Sequence, residues 1–151
     1  MEMIEKGWGR EIILESNDKY CMKVLQFDKE GSTSSMHFHK EKDETWTVLS
    51  GSIKVEMIDL ATATTEEVII EERGVIRLKP MTPHKVTALQ DMTSIMECSS
   101  PDSEEDNYRI YPGDSQQQTQ CSSEKEDKGY DFNNKSEEPS QSGVKMNLLE
   151  N

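Results

Sequence analysis

Three histidines, His37, His39 and His84, are all the imidazole this chain contains. Two of them lie two residues apart in GSTSSMHFHKEKDETWTVLSG, so on a strand both rings point to one face. The four residues Lys40 to Asp43 read as a hairpin loop, which sets Glu44 opposite His39 on the next strand. Cross-strand partners share a face, with Cβ atoms roughly 4.5–5.5 Å apart. His84 follows about forty residues later, behind a proline-fixed turn, and can supply a fourth group. Three nitrogens and one oxygen suit a single borderline divalent ion: Zn, Fe, Mn, Co or Ni. The bland alternative is a polar strand whose histidines face water.

Such a cluster needs strands to hold it, and the sequence supplies them. Tyr20–Phe27, Ser34–His39, Thr45–Leu49, Ser52–Ile58, Glu67–Glu71, Val75–Leu78, His84–Leu89 and Thr93–Cys98 are short runs rich in strand formers. Turn residues separate them: Asp28 to Gly31, Lys40 to Asp43, Ser50-Gly51, Arg73-Gly74 and Pro80 to Pro83. No window of eleven or more residues carries a helical apolar stripe. The fold class is therefore all-β, a sandwich or barrel. Composition shifts at Pro112. Residues 1–112 read as the folded domain. Residues 113–151, dominated by Gln, Ser, Glu, Asn and Lys, read as a disordered acidic tail that cannot bury enough apolar surface to offset its ordering entropy.

Several function classes fall away on composition. Seventeen basic against thirty acidic side chains give a net charge of -13, which repels a phosphate backbone and excludes general nucleic-acid binding. The longest apolar runs span three residues, so no membrane partner is expected. MEMIEKGWGRE has no apolar leader core, and Cys21, Cys98 and Cys121 have no metal spacing. A reduced, cytoplasmic setting is the expectation.

The spacing Gly31, five residues, His37, one, His39, four, Glu44, six, Gly51 matches the first motif of the cupin superfamily, and the chain resembles a cupin over roughly residues 7 to 112. RGVIRLKPMTPHKV resembles the second motif, with His84 in the ligand position. Gly74 sits one residue late, Lys79 replaces a first proline, and Met81 replaces the turn glycine. The resemblance implies a cupin jelly-roll barrel, a metal held by His37, His39, Glu44 and His84, and a homodimer. KGWGRE, YCMKVLQF, SSMHFHKEKDETWTVLSG, LKPMTPHKV and EEDNYRIYPGD resemble, in order, the cupin domain of type II mannose-6-phosphate isomerases. The nucleotidyltransferase half often fused to that domain has no counterpart here, since no Gly-rich phosphate loop is present.

That second resemblance implies a small-molecule sugar phosphate and aldose–ketose isomerisation. A base is then needed, and Glu97 matches a family glutamate; Glu11 is the other candidate. Lys23 and Arg109 match family positions and are expected at the substrate, with Lys23 also a candidate catalytic group. Lys79, with Arg77 and Lys85, forms a local basic patch that can serve a phosphate. Trp8 either stacks on a sugar or caps the barrel, and Trp46 is expected to line the core. Two rival readings use the same cluster: a mononuclear iron dioxygenase, and a cupin that binds a sugar or small ligand without catalysis.

Overall fold

The computed structural model describes residues 1–117. Eleven strands run in order: β1 (Glu2–Lys6), β2 (Gly9–Ser16), β3 (Cys21–Phe27), β4 (Met36–Phe38), β5 (Glu44–Ser50), β6 (Ser52–Asp59), β7 (Thr64–Glu71), β8 (Val75–Leu78), β9 (His84–Ala88), β10 (Thr93–Ser99) and β11 (Tyr108–Tyr111). A single turn of 3-10 helix, Glu104–Asp106, precedes β11. All pairings are antiparallel. One sheet has the order β1-β2-β3-β10-β5-β8 and the other β11-β4-β9-β6-β7. This is the jelly-roll arrangement that the cupin resemblance implies.

All eight expected strands form, with ends moved by a few residues. Three others, β1, β2 and β11, were not expected. Their burial shows why: β1 and β11 are largely exposed edge strands, and most of β2 is half-buried on both faces, so none carries a clean period of two. The hairpin expected around Lys40 to Asp43 is corrected. β4 belongs to one sheet and β5 to the other, so the segment is a crossover between sheets rather than a loop joining paired strands.

Alternation along the inner strands builds core and site together. The inward residues of β3 are Cys21, Lys23, Leu25 and Phe27; those of β5 are Glu44, Trp46 and Val48; those of β9 are His84, Val86 and Ala88; those of β10 are Thr93, Ile95, Glu97 and Ser99. Register aligns like with like. Ile95 lies opposite Leu25 and Val48, whereas Glu97 lies opposite Lys23 and Trp46. One end of the barrel is therefore an apolar core of Phe27, Val48, Ile53, Val55, Val86, Ala88 and Ile95. The other end carries buried Lys23, Glu44, His84 and Glu97. Gly51, with φ 77°, makes the tight turn from β5 to β6 that a side chain would obstruct against Thr93.

The chain stays packed past the expected boundary at Pro112. Gly113 lies against the backbone of Ser34 and Ser35. Asp114 accepts from the Thr33 amide at 2.8 Å, and the Ser115 hydroxyl accepts from the Gly7 amide at 3.0 Å. The remainder of the expected tail, 118–151, lies outside the described residues.

Candidate metal centre and its charged neighbours

His37 is on β4 and pairs in register with His84 on β9, while His39 follows directly after β4. One ring nitrogen from each of His37, His39 and His84 can be chosen so that all three lie within 4.8 Å of one another. The backbone sets which nitrogen that is. Nδ1–H of His37 donates to the Ser35 carbonyl at 2.9 Å, that of His39 to the Asp106 carbonyl at 2.7 Å, and that of His84 to the Thr82 carbonyl at 2.8 Å. A carbonyl only accepts, so Nδ1 carries the proton and each Nε2 keeps its lone pair for the centre. Burial, reinforced by the neighbouring His84, pushes His37 down to about 3. Burial also lowers His39, against the pull of Glu44. Both rings are thus neutral, the form that ligates a metal.

The turn into His84 forms despite its unusual sequence. Met81 takes the left-handed φ of 64° that the missing glycine would supply, and its amide donates to the His39 carbonyl at 2.7 Å. A non-glycine residue there costs about 1–2 kcal/mol. That hydrogen bond ties the turn before His84 to the strand end bearing His39.

Glu44 adjoins two of the three rings. Its Oε1 is 3.8 Å from His39 Nε2 and its Oε2 is 3.2 Å from His84 Nε2. Glu44 Oε2 and His84 Nε2 are both buried and have no hydrogen-bond partner among the described residues. With the proton fixed on Nδ1, these are two lone-pair acceptors facing each other in a low-dielectric site. A divalent cation satisfies both, and three imidazoles with one carboxylate form a donor set that fits one. Burial opposes ionisation of Glu44, but the carboxyl is held well below its usual range, with the Lys42 ammonium 2.8 Å from Oε1 favouring the charged form.

Next to this group lies an ion-pair network that the motif spacing does not foretell. Lys42 Nζ reaches Glu44 Oε1 at 2.8 Å, Glu97 Oε1 at 2.7 Å and Asp102 Oδ1 at 3.0 Å. Lys23 Nζ reaches Glu11 at 2.7 Å and Asp102 at 2.7 Å, with Glu97 at 3.8 Å. The two base candidates now differ. Burial, reinforced by the charge of Glu44, raises Glu97 despite both lysines. Burial would raise Glu11 too, but Lys23 and Lys6 prevail and lower it. Lys42 follows the alternation of β5 backwards, since 42, 44, 46 and 48 are all buried, a signal that reading Lys40 to Asp43 as a loop concealed. Asp102, in the loop after β10, and Asp106, at the end of the 3-10 turn, carried no such signal.

A cavity of about 520 Å³ opens over the cluster, within the roughly 300–1,000 Å³ of small-molecule sites. His37, His39, Glu44, Lys23 and Glu97 line it, as do Glu11 and Arg109. Arg109 is opposite His37 in register and makes no ion pair among the described residues. Trp8 lines the apolar wall, stacked on Phe27 at 4.6 Å. Trp46 packs edge-on against His84, and its buried Nε1 has no partner among the described residues. The expected basic patch is elsewhere. Lys79 is exposed and does not line the cavity; Arg77 pairs with Asp43, and Lys85 with Glu56 at 2.7 Å.

Two face-to-face antiparallel sheets with a histidine group in the mouth define a cupin fold. Solved cupin-fold structures superpose on it. KdgF from Halomonas sp. matches at TM-score 0.60 and 17% identity, over 70% of this chain and 90% of that one. The capsular polysaccharide assembling protein CapF of Staphylococcus aureus matches at 0.64 and 18%, over 73% and 34%. Oxalate decarboxylase of Bacillus subtilis matches at 0.61 and 19%, over 72% and 30%. The chain spans about a third of the length of the last two, and at these identities the likeness is one of fold. No protein-family model and no curated protein sequence matches the chain. Among the described residues, no helix is long and apolar enough to cross a membrane.

Proposed function

We propose that the protein is a metal-dependent cupin that acts on a sugar phosphate, interconverting an aldose and a ketose as mannose-6-phosphate isomerases do. The observation that supports it best is the adjacency of two devices in one cavity: a metal-fitting set of His37, His39, His84 and Glu44, and a buried carboxyl, Glu97, whose proton affinity is raised. A divalent ion bound there supplies Lewis-acid polarisation of a carbonyl and acidifies the adjacent C–H. Glu97 then takes the proton from one carbon and returns it to the next, and its raised pKa suits both halves of that transfer. Lys23 and Lys42 hold positive charge beside it throughout. Arg109, unpaired at the cavity wall, takes the phosphate. Free Cys21 and Cys98 accord with a reduced, cytoplasmic setting.

The test is interconversion of mannose 6-phosphate and fructose 6-phosphate by protein reconstituted with each of the five metals. Solvent-proton exchange into the sugar is followed in parallel. Glu97→Gln should lower kcat roughly 10²–10⁴-fold while metal content stays at the wild-type level. Sugar-phosphate stabilisation of the fold with no turnover or exchange under any metal would replace the isomerase with a binding module. Iron-dependent oxygen uptake would replace it with a dioxygenase.

A further inference from the structure

Lys42 occupies a position that the metal chemistry proposed above does not require. It is 4% exposed, and its three ammonium hydrogens are matched by three carboxylates: Glu44, Glu97 and Asp102. Its backbone is fixed as firmly as its head. The amides of Lys40, Glu41 and Lys42 all donate to the Asp106 carboxylate, at 2.8, 3.1 and 3.0 Å. Asp106 also orients His39 through its carbonyl. One residue thus anchors both the imidazole and the loop that delivers the ammonium.

The consequence falls on Glu44. Lys42 engages Oε1, leaving Oε2 as the oxygen turned to His84 Nε2. A fixed positive charge on one oxygen draws electron density from the carboxylate and competes with any cation at the other. Both effects weaken Glu44 as a ligand and restrict it to one oxygen. We infer that Lys42 is a positioning residue that limits Glu44 to a single, weakened donor oxygen, so that the metal centre binds its ion less tightly and keeps it more electron-poor. The inference rests on the reading of His37, His39, His84 and Glu44 as a metal centre. It adds that affinity is held back in favour of Lewis acidity.

Chelator-stripped wild type, Lys42→Met and Lys42→Arg are titrated with Co2+. The visible ligand-field bands, which report coordination number and donor strength, are recorded against a competing chelator. Wild type should bind one ion. Lys42→Met should bind roughly tenfold tighter with shifted bands, as Glu44 regains its full charge and second oxygen. Lys42→Arg, which keeps the charge, should return both affinity and bands to near wild type. Unchanged affinity and bands in Lys42→Met, or weaker binding, would overturn the role of Lys42. Wild type that takes up no Co2+ would overturn the metal centre itself. If circular dichroism shows that Lys42→Met does not fold, Lys42→Gln replaces it, with the same direction expected.

Discussion

At the scale of single residues, the centre depends on three backbone carbonyls as much as on three rings. Ser35, Asp106 and Thr82 each accept the Nδ1 proton of one histidine, which aims every Nε2 lone pair at a common point. No ring has a spare role, so the three should be energetically comparable. His84→Ala and His39→Ala are each expected to weaken divalent-ion binding at least ~100-fold, and by factors within about tenfold of one another. Calorimetric titration of the two variants with Zn2+ checks this. Retention of wild-type affinity in His84→Ala would leave the first motif binding alone. Strand alternation makes His37 and His39 legible as a pair, whereas Glu44 is reached through a hairpin that does not form and His84 through the motif resemblance. The sequence also ranked Glu97 and Lys23 together, and they prove to be register partners. It misplaced Lys79, since a locally basic stretch says nothing about which way an exposed edge turns.

At the scale of elements, the eight expected strands are legible as runs of strand formers between turn residues, and in β3, β5, β9 and β10 an alternation of buried and half-buried or exposed residues reinforces the reading. β1, β2 and β11 escape because edge position and mixed burial erase the alternation. The crossover between β4 and β5 escapes for a different reason. Nothing in KEKD distinguishes a surface hairpin from a loop pinned by a distant carboxylate, and here Asp106 is about 65 residues away along the chain. Its three backbone acceptor bonds hold a segment with no ladder of its own. Asp106→Ala should therefore cost about 1–2 kcal/mol of stability; the backbone carbonyl that orients His39 remains, and release of the loop that delivers Lys42 to Glu44 should tighten metal binding severalfold. Asp106→Asn keeps an acceptor oxygen and should reverse part of each change. Chemical denaturation and metal titration on the same samples measure the two effects; a loss of stability with metal affinity untouched would separate the loop from the centre.

At the scale of the molecule, the acidity belongs chiefly to residues 1–117. Residues 118–151 hold seven acidic and four basic side chains, so they account for only three of the thirteen net negative charges. Composition placed the end of the domain near Pro112, because Gly113 to Gln117 are small or polar and resemble residues 118–151 in kind. What seats them is not apolar burial but hydrogen bonding to two distant stretches. Asp114 exchanges two hydrogen bonds with the Thr33 backbone at 2.8 and 3.2 Å, and the Ser115 hydroxyl receives the Gly7 amide. Thr33 leads into β4, which carries His37, and Gly7 separates β1 from β2, so these five residues fasten the first hairpin to the sheet of His37 and His84. Each such bond is worth roughly 0.5–1.5 kcal/mol. A chain cut after Gln117 should melt within a degree or two of the full-length protein, whereas one cut after Pro112 should lose roughly 2–4 kcal/mol and melt several degrees lower. Scanning calorimetry of the three forms decides it. Equal melting of the two truncations would show that Gly113 to Gln117 merely rest on the barrel, and earlier melting of the longer one would move the structural boundary beyond Gln117.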